Sequence, residues 1–120
     1  MAKKPYDCGM GPAFEVVGGK WKVAILCELA EGPVRFGELK RKVQGVTEKM
    51  LIQQLRELER DQLITRTVFQ QVPPRVEYTL TEWGVGLNAA LAPVADWGEA
   101  YARATGRYPP PGAGRTVSRS

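Results

Sequence analysis

The chain has 120 residues, a formal net charge of +4, two cysteines and no histidine. That length allows one domain with its own core and leaves no room for a separate catalytic domain. Without histidine neither a Ser-His nor a Cys-His nucleophile pair can form, and no Cys/His zinc site has enough ligands.

A modest positive charge favours an anionic partner, because Lys and Arg that neutralise phosphates release condensed counterions. Placement therefore decides more than number. The basic residues Lys20, Lys22, Arg35, Lys40, Arg41, Lys42, Lys49, Arg56 and Arg60 crowd one stretch, whereas the region from Asp61 to Ala104 holds only Arg66, Arg75 and Arg103. No apolar run reaches the roughly 18 residues needed to cross a bilayer, and MAKKPYDCGMG lacks an apolar leader core. A cytoplasmic protein without membrane contact is expected, and no residue set calls for a cofactor.

In chain order, Gly11 to Gly19 reads as a short helix started by Pro12 and stopped by the Gly18-Gly19 pair, with Phe14 and Val17 on its apolar face. A second helix from Lys20 to Ala30 repeats Trp21, Ile25 and Leu29, while Ala24, Leu26 and Cys27 widen its apolar arc. Such an arc predicts a nearly buried helix, with Cys27 in the core. Gly32-Pro33 ends it and begins an extended link through Val34.

The next helix, Arg35 to Val43, sets Phe36, Leu39 and Val43 against Lys40, Arg41 and Lys42. After the turn Gln44-Gly45-Val46, Thr47 caps a helix running to Asp61 on a stripe of Leu51, Leu55 and Leu58. Two short helices joined by a Gly-containing turn describe a helix-turn-helix. Ile64 to Phe69 and Arg75 to Leu80 read as antiparallel strands, and Pro73-Pro74 forces their connection outward as a wing. Thr81 caps a last helical region with Leu87, Leu91, Val94, Ala95 and Trp97, which Pro93 is expected to kink or split. The domain is set at 1–104, and 105–120 is expected to be a disordered basic tail. The fold class is mainly α with a small β-hairpin wing.

The strings GGKW at Gly18 to Trp21, RFGEL at Arg35 to Leu39, LIQQLRELERDQLITR at Leu51 to Arg66 and VPPRVEYTLTEWG at Val72 to Gly84 resemble the HxlR-type winged-helix regulators of bacteria, over Cys8 to Trp97. The resemblance implies a cytosolic, homodimeric DNA-binding transcription regulator with an interface of terminal helices. Some members of that family use an N-terminal cysteine as a redox or electrophile switch, a place that Cys8 matches. The chain departs from the family pattern at Gln62, where Gly is usual, at Thr47, where Ser is commoner, and at Gly9, where Pro is frequent.

In a helix-turn-helix the first half of the second helix enters the major groove. Here that half carries Thr47, Glu48, Lys49, Gln53 and Gln54. Gln53 and Gln54 are candidates for base reading, since Gln pairs bidentately with adenine, although both could be merely solvated. Arg75 beside Pro73-Pro74 is placed either for the minor groove or for a salt bridge with Glu77. Lys20, Lys22, Arg35, Lys40 and Arg41 are candidate phosphate clamps. Phe14, Val17, Leu91, Val94, Trp97 and Tyr101 are candidates for the dimer surface or, alternatively, internal core. Cys8 is a thiol-switch candidate or an idle thiol, and a small molecule is the other candidate effector. The reading is a DNA-binding regulator on a palindromic operator, with helix 47–61 and wing 69–76 as its contact elements. Its alternative is a winged helix for protein-protein contact alone. GGKW lacks the remaining positions of a phosphate loop, and no enzyme is expected.

Overall fold

The computed structural model describes residues 8–108. By its internal contacts the chain divides after Gly86, giving one unit through Gly86 and another from Leu87 onward. Most of the tail assigned to 105–120 lies outside the described residues, as do residues 1–7.

The first unit contains helices α1 (Met10–Val17), α2 (Lys22–Glu28), α3 (Phe36–Lys42) and α4 (Glu48–Arg60), and strands β1 (Val34–Arg35), β2 (Ile64–Phe69) and β3 (Arg75–Leu80). The strands form one antiparallel sheet in the order β1-β3-β2. Val34 pairs with Tyr78 and Arg35 with Glu77, while β2 and β3 run in register from Ile64 opposite Leu80 to Phe69 opposite Arg75. The hairpin read from the sequence is thus joined by a third, two-residue strand just before α3. The loop between β2 and β3 is exposed from Gln70 to Pro74, with a cis Val72–Pro73 peptide.

The core is built where apolar positions recur at helical spacing. Ile25, Leu26 and Leu29 of the α2 region, Leu39 of α3, and Leu51, Leu55 and Leu58 of α4 are all essentially inaccessible, closed from the sheet side by Val34, Ile64 and Tyr78. Spacings of four and three residues between these leucines of α4 leave its opposite flank to solvent.

Helix α2 is shorter than Lys20 to Ala30 and less enclosed than its composition suggests. Its inward stripe is 22, 25, 26 and 29, so Val23, Ala24 and Cys27 turn outward. Cys27 is therefore exposed in this chain and not a core residue. The apolar arc was wide enough to allow either side to be the inner one, and packing against α3 and α4 selected the stripe containing Ile25 and Leu29.

Helix α4 begins at an N-cap, with the Thr47 hydroxyl accepting from the Met50 N–H at 3.1 Å. It ends in a Schellman arrangement. The Leu63 N–H donates to the Leu58 carbonyl and the Gln62 N–H to the Glu59 carbonyl, both at 3.0 Å. This requires a left-handed residue, and Gln62 takes that conformation with φ +65°. Thr81 locks the same corner: its hydroxyl donates to the Gln62 carbonyl at 2.6 Å, and its N–H donates to the Leu63 carbonyl. The hydroxyl also accepts from the Gly84 N–H at 3.1 Å, capping α5 (Glu82–Thr105). Gly84 lies so close to this corner that a Cβ there would overlap the Leu63 carbonyl oxygen.

The second unit is the body of α5 from Leu87. Pro93 lies inside that helix without splitting it, so of the two outcomes expected, a kink or a split, the split does not occur. Trp97 and Tyr101, one turn apart, stack with centroids 4.9 Å apart.

Candidate nucleic-acid interface

The outward flank of α4 carries Glu48, Lys49, Gln53 and Arg56, all exposed. Positions 49, 53 and 56 recur at four and then three residues, so they share one stripe opposite Leu51, Leu55 and Leu58. The Thr47 hydroxyl, expected in this group, is held by its cap bond. Next to the stripe, a groove between α4 and the wing is lined by Arg35, Glu48, Ile52, Arg56, Glu59, Arg66 and Arg75, with Pro73 and Pro74 on its rim. Four arginines face two glutamates there, which makes the groove cationic. Arg35 was singled out in the sequence as a clamp; Arg56 and Arg66 were not, although the spacing of Arg56 from Lys49 and Gln53 already placed it on the exposed stripe. Arg66 could not be found that way, since which β2 residues face the groove depends on how the sheet packs on α4.

The two glutamines separate. Gln53 is exposed and donates from Nε2 to Glu57 Oε2 at 2.7 Å. Gln54 is half-buried beside Gly19, and its Oε1 is enclosed without a hydrogen-bond partner. One step along a helix is 100°, enough to turn neighbouring side chains onto different faces. Gln54 is thus not on the Lys49–Gln53–Arg56 stripe.

Lys22 also departs from its expected role as a phosphate clamp. It is 5% exposed, and its Nζ lies 2.5 Å from Glu57 Oε1. A buried ammonium requires such a partner, and this one removes it from the surface. The Lys22 and Gln53 hydrogen bonds hold the Glu57 carboxyl below its ordinary range, since both favour its charged form over the opposing effect of burial. Lys20 is exposed with Nζ 4.8 Å from the Trp21 ring centre, and Lys40 is partly exposed on α3.

Arg75 adopts the second of its two readings. Its Nε lies 3.2 Å from Glu77 Oε2, and its guanidinium sits 4.1 Å from the Phe69 ring centre. That Nε is enclosed and has no aligned hydrogen bond, so its link to Glu77 is an ion pair only. Arg75 is thereby held against the strand ends beside the wing loop and not extended away from them.

Of the residues put forward for a dimer surface, Phe14 on α1 and Val94 and Trp97 on α5 are exposed, whereas Val17, Leu91 and Tyr101 are partly covered. Trp97 is 65% accessible, whereas tryptophan is highly buried on average. Cys8 and Cys27 are both free and exposed. Among the described residues no group of His, Cys, Asp and Glu is arranged to hold a metal, and no helix is long and apolar enough to cross a membrane.

This arrangement agrees with what the chain is similar to. The family described as HxlR-like helix-turn-helix matches residues 16–105. The HTH-type transcriptional regulator YtcD of Bacillus subtilis is 51% identical over 98 residues, covering 82% of this chain and 78% of that protein. YkvN, an HTH-type transcriptional regulator of the same organism, is 47% identical over 108 residues, covering 88% of this chain and 92% of its own. Among solved structures, the redox regulator HypR in its reduced form superimposes with a TM-score of 0.78 at 39% identity, covering 84% of this chain and 100% of that one.

Proposed function

Because this chain belongs to the HxlR-like helix-turn-helix family of transcriptional regulators, we propose that it binds duplex DNA in a sequence-specific manner as a homodimer. The observation that carries the reading is the exposed stripe Lys49–Gln53–Arg56 beside a groove that gathers Arg35, Arg56, Arg66 and Arg75. The stripe has the width and polarity for the major groove, and the arginines suit the flanking phosphates. Lys49 and Gln53 are assigned to base edges; Lys20, Arg35, Lys40, Arg56 and Arg66 to the backbone. Thr47 and Glu48 set the first turn of the helix. Arg75 reaches DNA only if it leaves Glu77.

One copy offers few base contacts, and a two-fold pair reads half-sites about one helical turn apart. The exposed Trp97, Val94 and Phe14 supply apolar surface for that pairing. Cys8 serves as the thiol of an oxidant response, supported by its exposure and by the likeness to a regulator described as redox-controlled.

Binding to mixed-sequence duplex at several salt concentrations, alongside the particle mass in solution, tests the reading. Affinity should fall steeply with salt and the mass should be twice the monomer's. A salt-independent response would favour the protein-protein module instead. Replacing Cys8 with Ser should abolish a response to diamide while leaving reduced binding intact, and a retained response would place sensing elsewhere.

A further inference from the structure

The buried end of Lys22 and the exposed end of Gln53 meet on the same carboxylate. Lys22 Nζ holds Glu57 Oε1 at 2.5 Å, and Glu57 Oε2 receives the Gln53 amide nitrogen at 2.7 Å. Lys22 belongs to α2 and is almost wholly enclosed, so one oxygen of Glu57 is anchored to the core while the other reaches the surface of α4. An isolated i, i+4 bond between a glutamine and an acid on a helix is weak, and an amide held by it alone is not confined to one orientation. Anchoring removes the freedom of the carboxylate to swing away.

The consequence is chemical. An ionised carboxylate only accepts hydrogen bonds, so the amide must present its nitrogen to Glu57 and never its oxygen. One N–H is thereby used. What Gln53 offers outward is its carbonyl oxygen together with the remaining N–H, an acceptor and a donor side by side. That pair matches the N6 amino group and N7 of adenine, and sets an acceptor against the O6 of guanine.

We infer that Glu57, anchored by Lys22, is a positioning residue that fixes the amide of Gln53 in the orientation that selects adenine over guanine. The inference rests on the assignment of Gln53 to base edges. Neither Lys22 nor Glu57 touches DNA in this scheme; they act through Gln53, and they make part of the sequence preference a property of α2–α4 packing.

The test is selection of bound duplexes from a random-sequence library by the full chain, followed by measurement of the adenine-to-guanine affinity ratio at each selected position. The wild type should select adenine at one position per half-site, and Gln53→Ala should flatten that position. Glu57→Gln replaces the pure acceptor with a group that both donates and accepts. It should reduce the ratio there by about tenfold, on the scale of one bidentate pair, without altering other positions. Lys22→Met should lower the same ratio and Lys22→Arg should restore it, which a merely structural role would not do; thermal unfolding confirms that each variant is folded. If Gln53→Ala flattens the position while Glu57→Gln leaves the ratio intact, the positioning role is overturned and the base assignment stands. If Gln53→Ala changes nothing, the base assignment fails and this inference fails with it. Should Lys22→Met not fold, the isosteric Glu57→Gln decides alone.

Discussion

Replacing Gln62 with Gly should make the protein more stable, although it removes a side chain. Gln62 ends α4 at φ +65°, where a Cβ crowds the following carbonyl at a cost of about 1 to 2 kcal/mol. Gly accepts that conformation at no steric cost but gives the unfolded chain more freedom, which takes back about 0.5 to 1 kcal/mol. The side chain is exposed, and the bond that Thr81 makes goes to the Gln62 carbonyl, which Gly retains. The centres of those ranges leave a net gain of about 0.75 kcal/mol, or a rise of about 3 to 6 °C in midpoint for a unit of this size. Thermal unfolding followed by circular dichroism, at one fixed protein concentration, measures it. Asp61→Gly is the control: Asp61 sits at φ −84°, so glycine there relieves no left-handed strain, adds flexibility and removes the Arg60 Nε–Asp61 Oδ1 contact at 3.3 Å, and should lower the midpoint. A lower midpoint for Gln62→Gly would refute the reasoning, because it would mean that the left-handed cap carries no strain in this chain.

Three other outcomes are expected. Gly84→Ala should destabilise by about 2 kcal/mol in the same melting experiment, since the added methyl overlaps the Leu63 carbonyl and meets Leu80 Cδ2 at 3.0 Å, outweighing the helix propensity of Ala; an unchanged midpoint would show that the start of α5 can shift. Arg56→Ala should reduce the slope of log affinity against log salt by about one per subunit, measured by fluorescence anisotropy on mixed duplex, if Arg56 neutralises a phosphate. For Glu57, whose folded pKa lies below its ordinary 4.5, the stabilisation is present above that value and is lost as pH falls through the folded pKa. As pH falls from about 5 through the folded pKa, the wild type should therefore lose stability more steeply than Glu57→Gln, and parallel pH profiles would remove the Lys22–Glu57 coupling from the account.

The sequence by itself determined the order of elements and the helix-turn-helix with its wing. These rest on local chemistry: Thr47 as a cap, Leu51, Leu55 and Leu58 at helical spacing, β-branched alternation in the hairpin, and prolines that expel the loop from the sheet. It also determined that Lys49 and Gln53 would share the polar flank of α4. Only the tertiary structure decided which way the ambiguous side chains turned. Lys22 and Cys27 lie on one short helix with apolar residues nearly all round, and periodicity cannot say which arc faces in; packing on α3 and α4 buried the lysine and exposed the thiol. Gln53 and Gln54 are neighbours of one kind in the sequence, yet the loop at Gly19 covers only the second. Arg66 entered the groove because the sheet lies against α4, a relation between residues far apart in the chain that no local pattern encodes.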